Sequence, residues 1–370
     1  MRPVNRWKAI RALRSNLVLL VAGCALILLA GLWRVAIAPS IKIVAGDFDT
    51  VYYYEGTDTE AVAGPGQAPL TQDVVEPIIV ERRTASRPDL TTSTVSVVEV
   101  TTRVLDQGSR AEISTRKALF ALDRKTGQLT GMDDVPARSG YFIVFPFDSP
   151  RTQVPYWNEL TESTHPAEFH KEEKQKGKTF YLYRYSYGGS TLKAPAKGYP
   201  ARVTGAELKS MLGQPGLLVG DSTELVPSYS ASGRGELLVE PVMGTIASVS
   251  KVDESVSMTV EDPSSDFLLT RMLYRVAYDD TRNSTSNGVQ FALEELSKYT
   301  LQFAYIPLGL LGLGIACVLV ACFAGVKRYA RREGLLEPVH SADGTLEHTD
   351  GPDESAATDE DDVTEPESPG

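Results

Sequence analysis

The side chains best suited to acid–base or metal chemistry in this 370-residue chain are few and poorly grouped. His165 and His170 stand near Glu168, Glu172 and Glu173. Two histidines share a metal on one helix face at a spacing of i, i+4, and here the spacing is i, i+5. The run from His165 to Lys178 is therefore expected to be a solvated, charged loop. Asp133-Asp134 and Asp279-Asp280 are adjacent carboxylates beside turn-forming residues. A glycosidase needs two carboxyls facing each other across a cleft, so these pairs are expected to be exposed turn acids. Cys24, Cys317 and Cys322 all lie in two apolar segments, which leaves the chain between them without a thiol nucleophile or a disulfide. GxGxxG, P-loop, GxSxG, HExxH and CxxC patterns do not occur. The sequence predicts neither an enzyme nor a cofactor.

The distinctive stretch is apolar rather than catalytic. Residues 141–158, YFIVFPFDSPRTQVPYWN, combine three prolines with six aromatic rings. Pro146 lacks the donor that a central strand needs, so it is expected to end the strand before it. Two readings follow for Tyr141, Phe145, Pro146, Phe147, Tyr156 and Trp157. They form a rigid packing motif at one end of the core, or the lining of an apolar site for a lipid or aromatic ligand.

Alternating patterns around this stretch predict strands to hold it. In 180–187, Tyr181, Tyr183, Tyr185 and Tyr187 share one face. In 268–278, Leu268, Met272, Tyr274, Val276 and Tyr278 share one. Residues 94–105 are rich in Val and Thr, and 236–252 reads as two strands. Asp123 to Gly127 is expected to turn a hairpin, with Gly127 taking a positive φ. Glu240 to Gly244 repeats the acid-to-glycine spacing, as two unrelated hairpins or as a trace of duplication. Thr204 and Glu207 fit a capping box ahead of a short helix. Residues 287–299 carry helical spacing, and 56–69 reads as a mobile loop.

Two apolar runs bracket the strands. Leu17–Trp33 follows Arg2, Arg6, Lys8, Arg11 and Arg14, and Ile306–Val326 precedes Lys327, Arg328, Arg331 and Arg332. About 20 apolar residues span a bilayer core, and in lipid only a helix satisfies its own backbone. Cations on the terminal flanks place both termini in the cytoplasm and the middle outside, with Trp33 and Tyr305 at the outer interface. The expected layout is a basic N-terminus (1–16), a membrane helix (17–37), an extracytoplasmic domain (38–304), a second membrane helix (305–326) and a cytoplasmic tail (327–370). Cleavage after Ala36-Ile37-Ala38 is opposed by Pro39, and lipidation at Cys24 by the apolar residues that follow it. Gly312 with Ala316, and Ala321 with Gly325, have the spacing of close helix packing, against the first helix or another copy.

The net charge of −11 is unevenly spread. Residues 333–370 hold thirteen acids and no Lys or Arg, a composition expected to be disordered. The region 39–304 has 35 acidic and 27 basic residues and no basic stripe, so nucleic acid is not an expected partner. The fold class expected is α+β: a β-rich extracytoplasmic domain flanked by two transmembrane helices, with a disordered acidic tail.

The motif ALDRKTGQLTG at 121–131, followed by 141–158, resembles an actinobacterial family of PorA-like proteins of unknown function. The resemblance spans about residues 10–330 and implies an N-terminal membrane segment, a long extracytoplasmic domain and a C-terminal membrane segment. It carries no catalytic residues. The porin label implies a pore, whereas the two apolar helices and the charges on both strand faces point away from a lipid-facing barrel. The bilayer itself, an envelope lipid, glycolipid or protein, and a helix-mediated oligomer are the partners expected. An envelope hydrolase and a channel are the competing functions, and a two-anchor lipid carrier of the scavenger-receptor type is an analogy of layout only.

Overall fold

A computed structural model describes residues 4–38, 42–44, 47–62, 72–193, 199–262 and 267–332. The acidic tail and residues 63–69 of the 56–69 stretch lie outside these. The chain divides into two compact units, Met1–Leu20 with Val318–Gly370, and Val21–Cys317.

The larger unit is built on one antiparallel sheet of eleven strands: β1 (Asp49–Glu60), β2 (Val74–Ser86), β3 (Val95–Asp106), β4 (Glu112–Asp123), β5 (Leu129–Thr130), β6 (Val154–Asn158), β7 (Ser163–Gln175), β8 (Lys178–Thr191), β11 (Ser228–Val239), β12 (Ile246–Asp262) and β13 (Phe267–Asp280). Their order is β5-β4-β3-β2-β1-β13-β12-β11-β8-β7-β6. The sheet curls until its edges meet through two residues. Leu129 N–H donates to Gly140 O at 2.8 Å on the β5 side. On the β6 side, Tyr141 N–H donates to Pro155 O at 2.8 Å and Trp157 N–H to Tyr141 O at 2.7 Å. Closure pairs edge groups that would otherwise stand unsatisfied.

The strand faces follow from alternation and cover. Tyr183 and Tyr185 turn into the core with Phe120, Phe145, Tyr156, Leu237 and Val239. On the opposite face of β8, Phe180 and Leu182 are also buried, because the helix α3 (Arg282–Thr300) lays Val289 and Ala292 on them. In β13 the expected single face breaks. Val256 pairs with Tyr274 and Ser257 with Met272, which leaves Leu273 as an extra residue turned into the core while Leu268 is exposed. The expected charged loop from His165 is in fact β7, and Gly56 to Glu60 belong to β1 rather than to a loop.

A short insert joins β8 to β11. Its pair β9 (Val203–Thr204) and β10 (Glu224–Leu225) flanks the helix α2 (Gly205–Leu212). Thr204 Oγ1 accepts from Glu207 N–H at 3.2 Å and the Glu207 carboxylate accepts from Thr204 N–H at 2.7 Å, completing the expected capping box. Leu208 and Met211 then pack with Tyr229, Val256 and Met258.

Two long helices are apolar enough to cross a membrane: α1 (Val4–Leu32), and α4 (Ile306–Arg332), which continues α3. Leu28, Leu319 and Phe323 are 73%, 63% and 71% exposed, a surface that water does not tolerate along a whole helix. In the larger unit, α1 and α3 each end in a widened turn, Trp33–Ile37 and Leu301–Tyr305, in which an N–H reaches back five residues. Trp33 Nε1 donates to Gln302 O across these turns at 2.9 Å, and Arg34 lies over Phe303. In the smaller unit, Arg328 donates to Asn16 Oδ1 at 3.3 Å.

Candidate functional site

Residues 141–147 do not form a strand that Pro146 terminates. They run as an irregular plug, tied to neighbouring chain by bridges from Tyr141 to Tyr156 and from Val144 to Thr245. Two turns grip it. Asp123 and Glu240 each accept N–H groups two and three residues ahead, at 3.0 and 2.9 Å for Asp123 and 3.1 and 2.7 Å for Glu240. Each turn then closes with a glycine at positive φ, Gly127 at 75° and Gly244 at 69°. The Phe145 carbonyl lies where a side chain of Gly244 would begin, 2.1 Å from its first carbon, and stands 3.3 Å from that of Gly127. The repeated acid-to-glycine spacing thus marks two alike turns bracketing one residue.

The structure divides the six candidate residues between two roles. Phe145, Tyr156 and Trp157 are buried in the main core, where Phe145 meets Tyr183 edge-on at 5.0 Å. Tyr141 packs at its margin, 6.4 Å from Phe145. Phe147 and Tyr156 line a cavity of about 90 Å³, and Tyr141, Phe145, Pro146 and Trp157 do not. The remaining wall includes Phe142 of the same aromatic stretch, and Val44, Met243, Val249 and Phe291, which sequence reasoning did not single out. They come from five separate stretches of chain, and only the FPF run carried a signal.

The cavity has a location with physical meaning. Ile43 and Val44 follow the first long helix, and Phe291 and Glu295 stand on α3 ahead of the second. Its deep wall is polar. Arg82 is mostly withdrawn from solvent, with its side chain 16% exposed, spans 3.2 Å to Glu159 Oε2 and lies 4.6 Å over the Phe142 ring. Burial works to lower the Arg82 pKa, but Glu159 and the surrounding tyrosines hold it above its ordinary value. Beyond it, Glu254 accepts from Asn158 Nδ2 at 2.7 Å and from Tyr187 OH at 2.8 Å. Burial raises the Glu254 carboxyl and, to about 12, the Tyr156 phenol. Fixed pairs and packed rings therefore bound the cavity at the level of Arg82.

The other candidates separate. His165 stacks on Tyr187 at 4.3 Å, with Nε2 2.7 Å from Thr161 Oγ1, and burial lowers its pKa. His170 lies instead beside Arg184, 3.5 Å from Nη1. Among the described residues no three His, Cys, Asp or Glu side chains gather as a metal set. Asp133 and Asp134 are exposed in a turn. Asp280 departs from that expectation: it is half-buried, and its Oδ2 accepts from Ser248 at 2.6 Å and Thr285 at 3.0 Å.

The outer wall carries ion pairs instead of a lipid-compatible surface. Glu236 holds Arg184 and Lys251 at 2.8 and 2.9 Å, and Asp253 holds Arg234 and Arg275 at 3.0 and 2.6 Å. The family described as Porin PorA matches residues 16–323, most of the chain. The chain belongs to the Porin PorA family. Among curated proteins no relative matches it. Family membership and the two long apolar helices make this a membrane protein. In this PorA-family chain the apolar surface suited to lipid lies on helices, while the strands outside α3 display paired charges.

Proposed function

We propose that this protein is a non-enzymatic, two-helix-anchored envelope protein whose barrel takes up the apolar part of an envelope lipid or glycolipid. Both termini lie in the cytoplasm and the barrel outside, in line with the cations that flank each helix on its terminal side. One observation carries the reading: the apolar cavity is lined from both segments that lead to the long helices, by Val44 after the first and by Phe291 on α3 ahead of the second. The cavity's ~90 Å³ admits part of one acyl chain, with Phe147, Val249 and Met243 as its apolar contacts.

The test uses the full-length protein in lipid nanodiscs carrying a phospholipid with a photoactivatable acyl chain. Cross-links are expected on Phe147, Val249 and Phe291, and V249W, which fills the cavity, is expected to remove them. Labelling confined to α1 and α4 overturns the proposal. The family description gives a second reading, a pore. Ohmic conductance from the same protein in planar bilayers, abolished by V249W, favours the pore over lipid uptake.

A further inference from the structure

A second cavity lies at the seam where the sheet closes. Because β5 contributes only Leu129–Thr130, the neighbouring part of the seam is spanned by side chains rather than by a ladder. Arg116, Phe120, Arg138, Trp157, Glu159 and Glu162 surround about 170 Å³ there, together with Lys193. Only Phe120 and Trp157 of this group belong to the main core.

The charges of this cavity do not cancel. Glu159 is committed to Arg82 at 3.2 Å, and Glu162 faces Lys193 at 3.6 Å. Among the described residues, neither Arg116 nor Arg138 has a carboxylate within 4.0 Å. Both donate to backbone carbonyls instead: Arg116 through two nitrogens to Glu159 O at 3.2 and 3.3 Å, Arg138 through Nη1 to Leu119 O. Arg138 also lies over Phe120 at 4.3 Å and reaches Trp157 at 6.0 Å, which withdraws it partly from water. Burial accordingly pushes its pKa down. Glu159 and Glu162 oppose that shift only from a distance, and a partly desolvated guanidinium with no carboxylate in contact is costly to hold. Two guanidinium forks with unused N–H groups on one small cavity match an oxyanion.

We propose that the seam cavity binds a phosphate-type oxyanion between Arg116 and Arg138. The anion supplies the missing counter-charge and occupies donors that carbonyls leave free. Its source is either free phosphate or the headgroup of a phospholipid. This site stands apart from the acyl cavity and does not depend on lipid uptake there.

Calorimetric titration of the full-length protein in nonionic micelles, at fixed ionic strength, tests this with two probes: inorganic phosphate and dihexanoyl phosphatidic acid. Saturable binding is expected, weakened about tenfold or more in R116Q and in R138Q, since each removes a charge-assisted contact. E162Q removes a competing negative charge and is expected to tighten binding several-fold. Should R138Q fail to fold, R138K keeps the charge without the fork and is expected to bind with intermediate affinity. Equal affinity for both probes identifies the free oxyanion as sufficient, and preference for phosphatidic acid identifies the headgroup. The proposal is overturned by the absence of saturable heat with either probe. Affinity unchanged in R116Q, R138Q and E162Q overturns it equally.

Discussion

Lys42 Nζ stands 2.6 Å from Asp148 Oδ2, joining the stretch after the first long helix to the end of the aromatic plug. The same ammonium lies 5.8 Å from the Phe147 ring centroid and 5.4 Å from that of Tyr299 on α3. One side chain thereby links the approach from one membrane helix, the cavity wall and the approach to the other. The two partners are unequal, because the Lys42 side chain is 15% exposed and that of Asp148 is 77% exposed.

That inequality predicts the order of two variants. D148N removes an ion pair whose acid is in water, a loss of about 1 kcal/mol or less. K42A removes the pair and both ring contacts, each worth about 0.5–2 kcal/mol. K42A is therefore expected to lower the melting temperature more than D148N in full-length protein. Equal shifts would mean that the ring contacts contribute nothing.

The two alike turns predict a second ordering. A non-glycine residue at positive φ costs about 1–2 kcal/mol, which applies to G127A and G244A alike. The added carbon differs in what it meets: 3.3 Å from Phe145 O at Gly127, but 2.1 Å at Gly244. Phe145 N–H also donates to Gly244 O at 2.7 Å, so the plug cannot retreat without losing that bond. G244A should be clearly the more damaging, read as the difference in denaturant midpoint between the two variants.

Much of this architecture is legible in the chain because it depends on local rules. The tyrosine face of 181–187, the Thr204 box and the helical spacing of 287–299 each need only neighbours within a few residues. The apolar runs 17–33 and 306–326 announce their helices by length and composition. What escaped is long-range. Nothing near Leu273 signals that it becomes the extra residue of a bulge. Phe180 and Leu182 are buried only because a helix more than 100 positions later covers them. The cavity shares this character: FPF is visible in the sequence, while Val44, Val249 and Phe291 acquire meaning only when the sheet curls. His165 to Lys178 misled because charge on the outer face of a barrel strand looks like a loop when read alone.

Asp280 predicts a pH dependence. Burial raises its pKa to about 6, aided by Asp279 and opposed by hydrogen bonds from Ser248 and Thr285. Its Oδ1 is buried and has no partner among the described residues. An unfolded aspartate titrates near 3.9. The folded state therefore holds the proton more tightly, and this contribution is fully present below about pH 4. It is lost as pH rises through about 6, so stability should fall across that window. In D280N that dependence should vanish. The melting temperature of wild type minus that of D280N, followed between pH 4 and 7, is the measurement, and a difference independent of pH would refute the assignment.

The helix pair gives the last prediction, and it revises which small residues matter. The spacing of Gly312 and Ala316 suggested the packing face, but a side chain at Gly312 would meet nothing within 4 Å. Gly314 is the residue in contact. A carbon added there would stand 2.8 Å from Ile27 Cγ1 and 2.9 Å from Gly23 O. Without water inside a bilayer, such close backbone approach is a main source of helix association. G314L must push the helices apart, which also strains the Trp33 to Gln302 hydrogen bond formed where each helix widens. G312L adds an apolar side chain to a surface already facing outward. G314L is expected to lower the melting temperature of the nanodisc-embedded protein, while G312L leaves it unchanged. A loss of stability in G312L instead would show that the Gly312 face is occupied by another copy of the chain.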